Sequence, residues 1–322
     1  MSKEHNVAAA TRSDQLTSDV LDGLRRTPKE LSPVWFYDEF GSLLFDSICE
    51  LPEYYLTRTE LAIMEEHAAD MAQLIGPQAA LIEYGSGTSF KTRLILDHLV
   101  APWAYVPVDI ARDHLFEAAS TLARDYPALR IVPVCADFTQ PFELPRHLSR
   151  AQRRVVYFPG STLGNFSTAA ARTLLSGMRT LVGREGAVLI GIDLKKDRDV
   201  LERAYNDSAG VTAEFNLNAL RHLNRELGTN FDIDAFEHRA LWVEKESRIE
   251  MHLISKRDQV IDVAGTRVTF KRGEHLRTEC SHKYTLESFA NLTASAHLVA
   301  TRTWTDAEQK FCVQLLEPAQ LQ

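Results

Sequence analysis

Between residues 80 and 193, short apolar runs alternate with stretches in which apolar residues recur every three to four positions. The runs predict strands at 80–84, 104–109, 130–134, 154–158 and 187–193, and the longer periods predict helices at 90–100, 112–125 and 167–182. That alternation is the pattern of βαβ units and a mostly parallel sheet. Beyond 193 the pattern changes. Residues 197–229 read as helix, and 236–283 carry alternating runs such as RIEMHLIS and TRVTF with a turn at Ala264-Gly265, as antiparallel strands do. A helix near 285–295 and strands at 297–304 and 310–316, joined by TDAEQ, return the chain to the first sheet. Ahead of it all, residues 14–26 form an amphipathic helix with Leu16, Val20 and Leu24 on one stripe, stopped at Thr27-Pro28. An aromatic segment, VWFYDEFGSLLF, and LPEYY at 51–55 follow, and then a helix from Thr59 to Ile75 with Leu61, Met64, Ala68 and Met71 inward.

These changes of pattern divide the chain into a sheet domain at 59–196, completed by 284–322, and a second lobe made of 1–58 and an insertion at 197–283. A length of 322 residues suffices for both. The net charge of −8 and the scattered Lys and Arg argue against nucleic acid and for a small-molecule substrate. Four cysteines without Cys-x-x-Cys spacing and eleven histidines without a His-x-x-x-His pair predict no metal site and no disulfide framework. The N-terminus lacks the apolar core of a signal peptide, and no run reaches the roughly 18 apolar residues of a membrane span, so a cytoplasmic protein is expected; a monomer is the expected state.

The stretch LIEYGSGTS at 81–89 places a Gly-x-Gly turn, Gly85 and Gly87, between a strand and a helix. Such a turn lets backbone approach a nucleotide, but it also joins strands to helices where no ligand binds. The residues that follow favour the nucleotide. Asp109 ends the second strand about 24 residues past Gly85, where an acid can accept from both ribose hydroxyls, unless it only caps the next helix. After the third strand, Asp137 can accept from an adenine amino group while Phe138 packs on the ring. A dinucleotide loop would need a third glycine where Phe90 stands, and a phosphate loop would need Gly-Lys-Ser/Thr; neither is present. Glu83 instead suits a ligand carrying positive charge, such as S-adenosylmethionine. The helix and two strands at the C-terminus fit the sheet of a class I, Rossmann-like methyltransferase.

Seven further segments, spread over nearly the whole chain, carry a resemblance. They are WFYDEFGSLLFDSICELPEYYLTR at 35–58, EYGSGTSFKTRLILD at 83–97, FPGSTLGNF at 158–166, DLKKD at 193–197, RAYNDSAGVTAEFN at 203–216, SRIEM at 247–251 and TECSHKY at 278–284. Together they resemble the histidine-specific Nα-methyltransferases of ergothioneine biosynthesis. The resemblance implies an α/β class I methyltransferase sheet with a second α+β substrate-binding domain, and trimethylation of L-histidine to hercynine with S-adenosylmethionine as methyl donor. It further implies that Asn165 and Tyr205 hold the substrate carboxylate, that Tyr54 and Gly160 lie near the amine, and that Glu279 and Ser281 bind the imidazole. Residues two apart on a strand share a face, so Glu279 and Ser281 can reach one flat ring. Met251 would form an apolar wall. Tyr37, Gly85, Lys91, Asp109, Asp137 and Phe138 fall at cofactor positions.

Each assignment has a plain structural counterpart: Met251 as core, Lys91 as a solvated helix residue, the tyrosines as half-buried aromatics, and Glu279 with Ser281 as an exposed strand face. Tyr84, Phe90 and Pro159 depart from the family's pattern around the cofactor. A tyrosine phenol or a water ordered near Tyr54 is the candidate for moving the amine's proton, and no dedicated strong base is visible. Competing readings are a relative acting on another aromatic amine such as a tryptophan derivative, a non-catalytic binding homologue, and a Rossmann dehydrogenase.

Overall fold

The computed structural model describes residues 16–86 and 90–320. Gly87, Thr88 and Ser89 of the glycine turn and positions 14 and 15 of the first helix therefore lie outside the described residues. Two compact units divide the chain, one from the chain up to Tyr55 with Lys196–Ser281, the other from Leu56–Lys195 with the chain from His282 onward.

The second unit is a seven-stranded sheet. From one edge its strands are Leu298–Thr305, Phe311–Pro318, Ala187–Asp193, Arg153–Phe158, Ala79–Tyr84, Ala104–Asp109 and Val134–Cys135. All neighbours pair in parallel except Phe311–Pro318, which is antiparallel to both strands beside it. This is the class I methyltransferase order anticipated from the C-terminal helix and strand pair. Both faces of the sheet are covered, which is why its central strands are apolar almost throughout rather than alternating. Ala80, Ile82 and Tyr84 pack into one core, Ala79 and Leu81 into the other. The order reverses between Ala79–Tyr84 and Arg153–Phe158, and the carboxyl ends of those two strands are where an open α/β sheet binds its ligand.

Local chemistry sets the helix boundaries. Ser167 accepts from Ala170 N at the start of Thr168–Val182, and Thr285 and Ser288 form a capping box at Leu286–Ser295. The expected helix at 90–100 ends earlier, at Leu96. The expected strand at 130–134 shrinks to Val134–Cys135 plus a single bridge at Ile131, because Pro133 has no N–H to donate to a ladder.

The first unit is α+β. Lys29–Glu30 pairs in parallel with His275–His282 at the edge of a four-stranded sheet, and Phe236–Val243 pairs antiparallel with Arg248–Ser255. Gln259–Val263 and Thr266–Phe270 form a separate hairpin around Ala264-Gly265. The helical stretch anticipated over 197–229 is two helices, Arg198–Tyr205 and Val211–Leu227. Asp207 separates them by accepting from Val211 N at 2.8 Å and Thr212 N at 2.7 Å, an alternative to helical backbone bonds. Helix Glu39–Cys49 lies against the second of these, where a Cβ on Gly41 would strike the Phe36 carbonyl. Asp38 caps that helix through Gly41 N and also accepts from Asn218 and Arg225, at 2.7, 2.7 and 2.8 Å.

Candidate active site

In the sheet unit the first strand brings Glu83 and Tyr84 to the turn. Gly85 stands at φ +71°, and its N–H donates to the Val108 carbonyl at 2.9 Å. A Cβ there would touch Phe138 at 3.7 Å and would take up space on the open side of the turn. Phe138 stacks on Tyr84 with ring centroids 5.3 Å apart and planes 21° from parallel. The departure at Tyr84 thus supports the aromatic that the sequence assigns to the cofactor ring. Asp109 ends its strand half-buried. One of its oxygens accepts from Ala111 N at 2.8 Å, and the residue capping the next helix is Ala111 itself. Asp137 is exposed and uses one oxygen for Thr139 N and Oγ1, at 2.9 and 2.6 Å.

Glu83 has partners inside the sheet unit that the sequence did not indicate. Only 2% of the residue is exposed, and one of its oxygens accepts from both Thr92 Oγ1 and Tyr105 Oη, each at 2.5 Å. That oxygen is committed to buried hydroxyls. Burial pushes its pKa up to about 7, against the pull of those two hydrogen bonds and of Lys91, with Glu60 adding to the rise.

Lys91 forms an ion pair with Glu60, which is 1% exposed and accepts from Gly160 N at 2.9 and 3.0 Å. Sequence reading missed Glu60. Its signal was an acid four residues before Met64, on the stripe of the helix that faces the core. Gly160, at φ +77°, and Ser161, at φ +56°, make a left-handed turn that leads into the short helix Thr162–Asn165. His282 Nδ1 donates to the Gly164 carbonyl at 2.8 Å and steadies the segment that carries the half-buried Asn165.

In the other unit, Tyr205 ends helix Arg198–Tyr205 and donates to Ser281 Oγ at 2.9 Å. The ring of Tyr54 meets that of Tyr205 edge to face at 6.2 Å and that of Phe45 at 6.3 Å. Tyr37 meets Phe45 at 5.9 Å and Phe215 at 5.7 Å, which completes an aromatic box. Phe45 and Phe215 were not singled out from sequence. Glu279 stands half-buried two residues before Ser281. Burial raises the Tyr54 phenol well above its ordinary value, and electrostatic coupling to Tyr205, Cys49 and Glu279 adds to this. Tyr37 keeps 48% of its surface exposed, yet its phenol is raised by burial of that end and then by Glu279. Met251 is 2% exposed, and its carbonyl accepts from Thr278 Oγ1 at 3.1 Å. His238 Nε2 donates to the Tyr205 carbonyl at 2.8 Å, which leaves Nδ1 to accept from Asn216 at 2.8 Å. Burial lowers the His238 pKa, and the neutral ring holds the end of the Tyr205 helix.

Among the described residues no group of three or more His, Cys, Asp and Glu could hold a metal ion, and no helix is long and apolar enough to cross a membrane. A strand-end glycine at positive φ, an acid at the end of the next strand and an aromatic over the turn fit an adenosyl group bearing ribose hydroxyls.

Known proteins give the same picture. The chain is 41% identical over 320 residues to the histidine N-alpha-methyltransferase of Mycolicibacterium smegmatis, covering 98% of each chain. It is 40% identical over 306 residues to the enzyme of that name from Mycobacterium tuberculosis, with 93% of this chain and 94% of that one covered. Ergothioneine biosynthesis protein 1 of Neurospora crassa is 30% identical over 288 residues, 86% of this chain and 32% of that protein. The family model described as "Histidine-specific methyltransferase, SAM-dependent" matches residues 16–318. By strand order, turn chemistry and sequence alike, the chain belongs to the S-adenosylmethionine-dependent, histidine-specific methyltransferases.

Proposed function

We propose that this protein methylates the α-amine of L-histidine, three times in succession, to give the betaine hercynine. The observation that carries the reading is the Tyr205–Ser281 hydrogen bond beside Glu279, inside an aromatic box, in a chain of this family. Glu279 and Ser281 offer an acceptor and a hydroxyl to the two ring nitrogens of an imidazole. Asn165 and Tyr205 are the proposed carboxylate ligands, the Tyr205 O–H turning from Ser281 to the substrate, and Met251 supplies the apolar wall. In the sheet unit, Gly85, Asp109, Asp137 and Phe138 serve the methyl donor. Lys91 and Tyr37 belong to the same proposed set, and Gly160 is proposed near the substrate amine with Tyr54. When bound, S-adenosylmethionine supplies a methyl already activated by its sulfonium, so the protein's contribution is mainly to aim the amine.

Tyr54 keeps its proton through the neutral range, because its pKa is raised. It therefore acts as a neutral phenol whose oxygen accepts a hydrogen bond from the amine and turns the lone pair toward the methyl. The amine's proton leaves by way of water, since a phenolate is not available to take it. An imidazole N–H that donates to Glu279 also explains the discrimination: an apolar amino acid would forgo that hydrogen bond to a carboxylate, at about 1–3 kcal/mol. Incubation with S-adenosylmethionine and the twenty amino acids, followed by mass spectrometry, should show histidine alone gaining three methyls. Methylation of tryptophan in its place, or of nothing, would sink the reading.

A further inference from the structure

The geometry points to Glu60 as a positioning residue for the cofactor side of the site: its buried carboxylate ties Lys91, on the helix after the glycine turn, to the Gly160 turn after the fourth strand. The inference rests on the methyl-transfer reading above and adds a residue to it. Three observations carry it. Glu60 is 1% exposed and receives the Gly160 N–H at 2.9 and 3.0 Å while pairing with the Lys91 ammonium. The space it fills is kept open by a glycine, since a Cβ on Gly191 would overlap its Oε1. And the turn it holds contains two consecutive left-handed residues, Gly160 and Ser161, of which the second carries a steric penalty that its surroundings must offset.

The other side of the turn is fixed too, because Asp193 N donates to Ser161 Oγ at 2.9 Å. Glu60 thus joins two flanks of the sheet's ligand-binding edge, the Lys91 helix and the Gly160 turn, into one piece. Lys91 serves the cofactor through this tie rather than as an isolated cation. A buried charge that loses its partner is strongly unfavourable, so the two side chains act as a unit.

A double-mutant cycle tests this in the full-length protein, with S-adenosylhomocysteine affinity read by calorimetry and kcat and KM read with histidine. Glu60→Gln and Lys91→Met should each weaken S-adenosylhomocysteine about five- to fiftyfold, and the double variant should be no worse than the poorer single one. Glu60→Asp, which keeps the charge but shortens the reach, should recover part of the affinity that Glu60→Gln loses. An affinity unchanged in Glu60→Gln, or losses that simply multiply in the double variant, would overturn the proposal and leave Lys91 as an independent contact. If Glu60→Gln does not fold, Lys91→Gln carries the test, because its side chain is 20% exposed. Adding Glu60→Ala to it should cost little further affinity, and a loss that multiplies would count against the tie. S-adenosylhomocysteine binding needs no histidine, so a wrong substrate assignment would appear separately, as a wild-type protein that binds the cofactor product but leaves histidine unmethylated.

Discussion

Glu83 and Glu250, one in each unit, are 2% and 9% exposed, yet their pKa values move in opposite directions. Glu83 has two hydroxyl donors and rises to about 7, because neutral partners do not make up for lost water. Glu250 falls to about 2. His252 Nε2 sits 3.1 Å from one of its oxygens, while Arg248 Nε and Arg277 Nη1 approach the other at 2.9 and 3.0 Å. Burial alone therefore does not set a carboxylate's charge; the partners do. Glu279 is a third case, a half-buried carboxylate among phenols that it helps keep protonated. In the proposed reading the substrate imidazole adds a donor to it.

The largest expected effect tests that third case. Glu279→Ala should lower kcat/KM for histidine by about a hundredfold, in line with roughly 3 kcal/mol for an imidazole deprived of its charged acceptor, and leave S-adenosylhomocysteine affinity within about twofold. Unchanged histidine affinity by calorimetry would remove Glu279 from the site.

Glu250→Gln comes next. The folded pKa lies below the ordinary value of 4.5, so the carboxylate's contribution is present above pH 4.5 and lost as pH falls toward 2. Urea unfolding should show the variant less stable by about 2–3 kcal/mol at pH 7, with the gap closing across that window. A gap that does not change with pH would mean packing, not charge.

Glu83→Gln should do the reverse. Its folded pKa is raised, so the stability present below pH 4.5 is lost as pH climbs through about 7. The glutamine variant should match the parent at pH 4 and exceed it by about 1–2 kcal/mol at pH 8. Parallel stability curves would refute the assigned protonation.

Thr285→Ala gives the smallest change and the reference for the others. It removes a neutral helix cap bonded to Ser288 N at 3.0 Å, and about 1 kcal/mol should go at every pH. Any pH dependence there would show that the charged variants cannot be read so simply.

Much of the sheet was legible because its information is local. The runs at 104–109 and 187–193 are strands with those bounds, and 112–125 is a helix with those bounds. Two of the misjudged stretches depend on one residue each that periodicity averages over: Pro133, which lacks a donor, and Asp207, which captures two N–H groups and splits a helix. The glycine turn was legible from Gly85 and its flanks, but the internal partners of Glu83 were not. Nothing near position 83 announces that Thr92 and Tyr105 would claim the carboxylate.

The sequence by itself determined the alternation of strands and helices, the strand-end turn with its acids at 109 and 137, and the family. Those follow from side-chain periodicity and short motifs, which chain neighbours specify. Tertiary structure alone decided which carboxylates carry charge and what they hold. Glu83 meets Tyr105 22 positions away, and Glu60 meets the Gly160 N–H 100 positions away. A carboxylate's ionisation depends on the donors and solvent around it in space, and distance along the chain does not encode those.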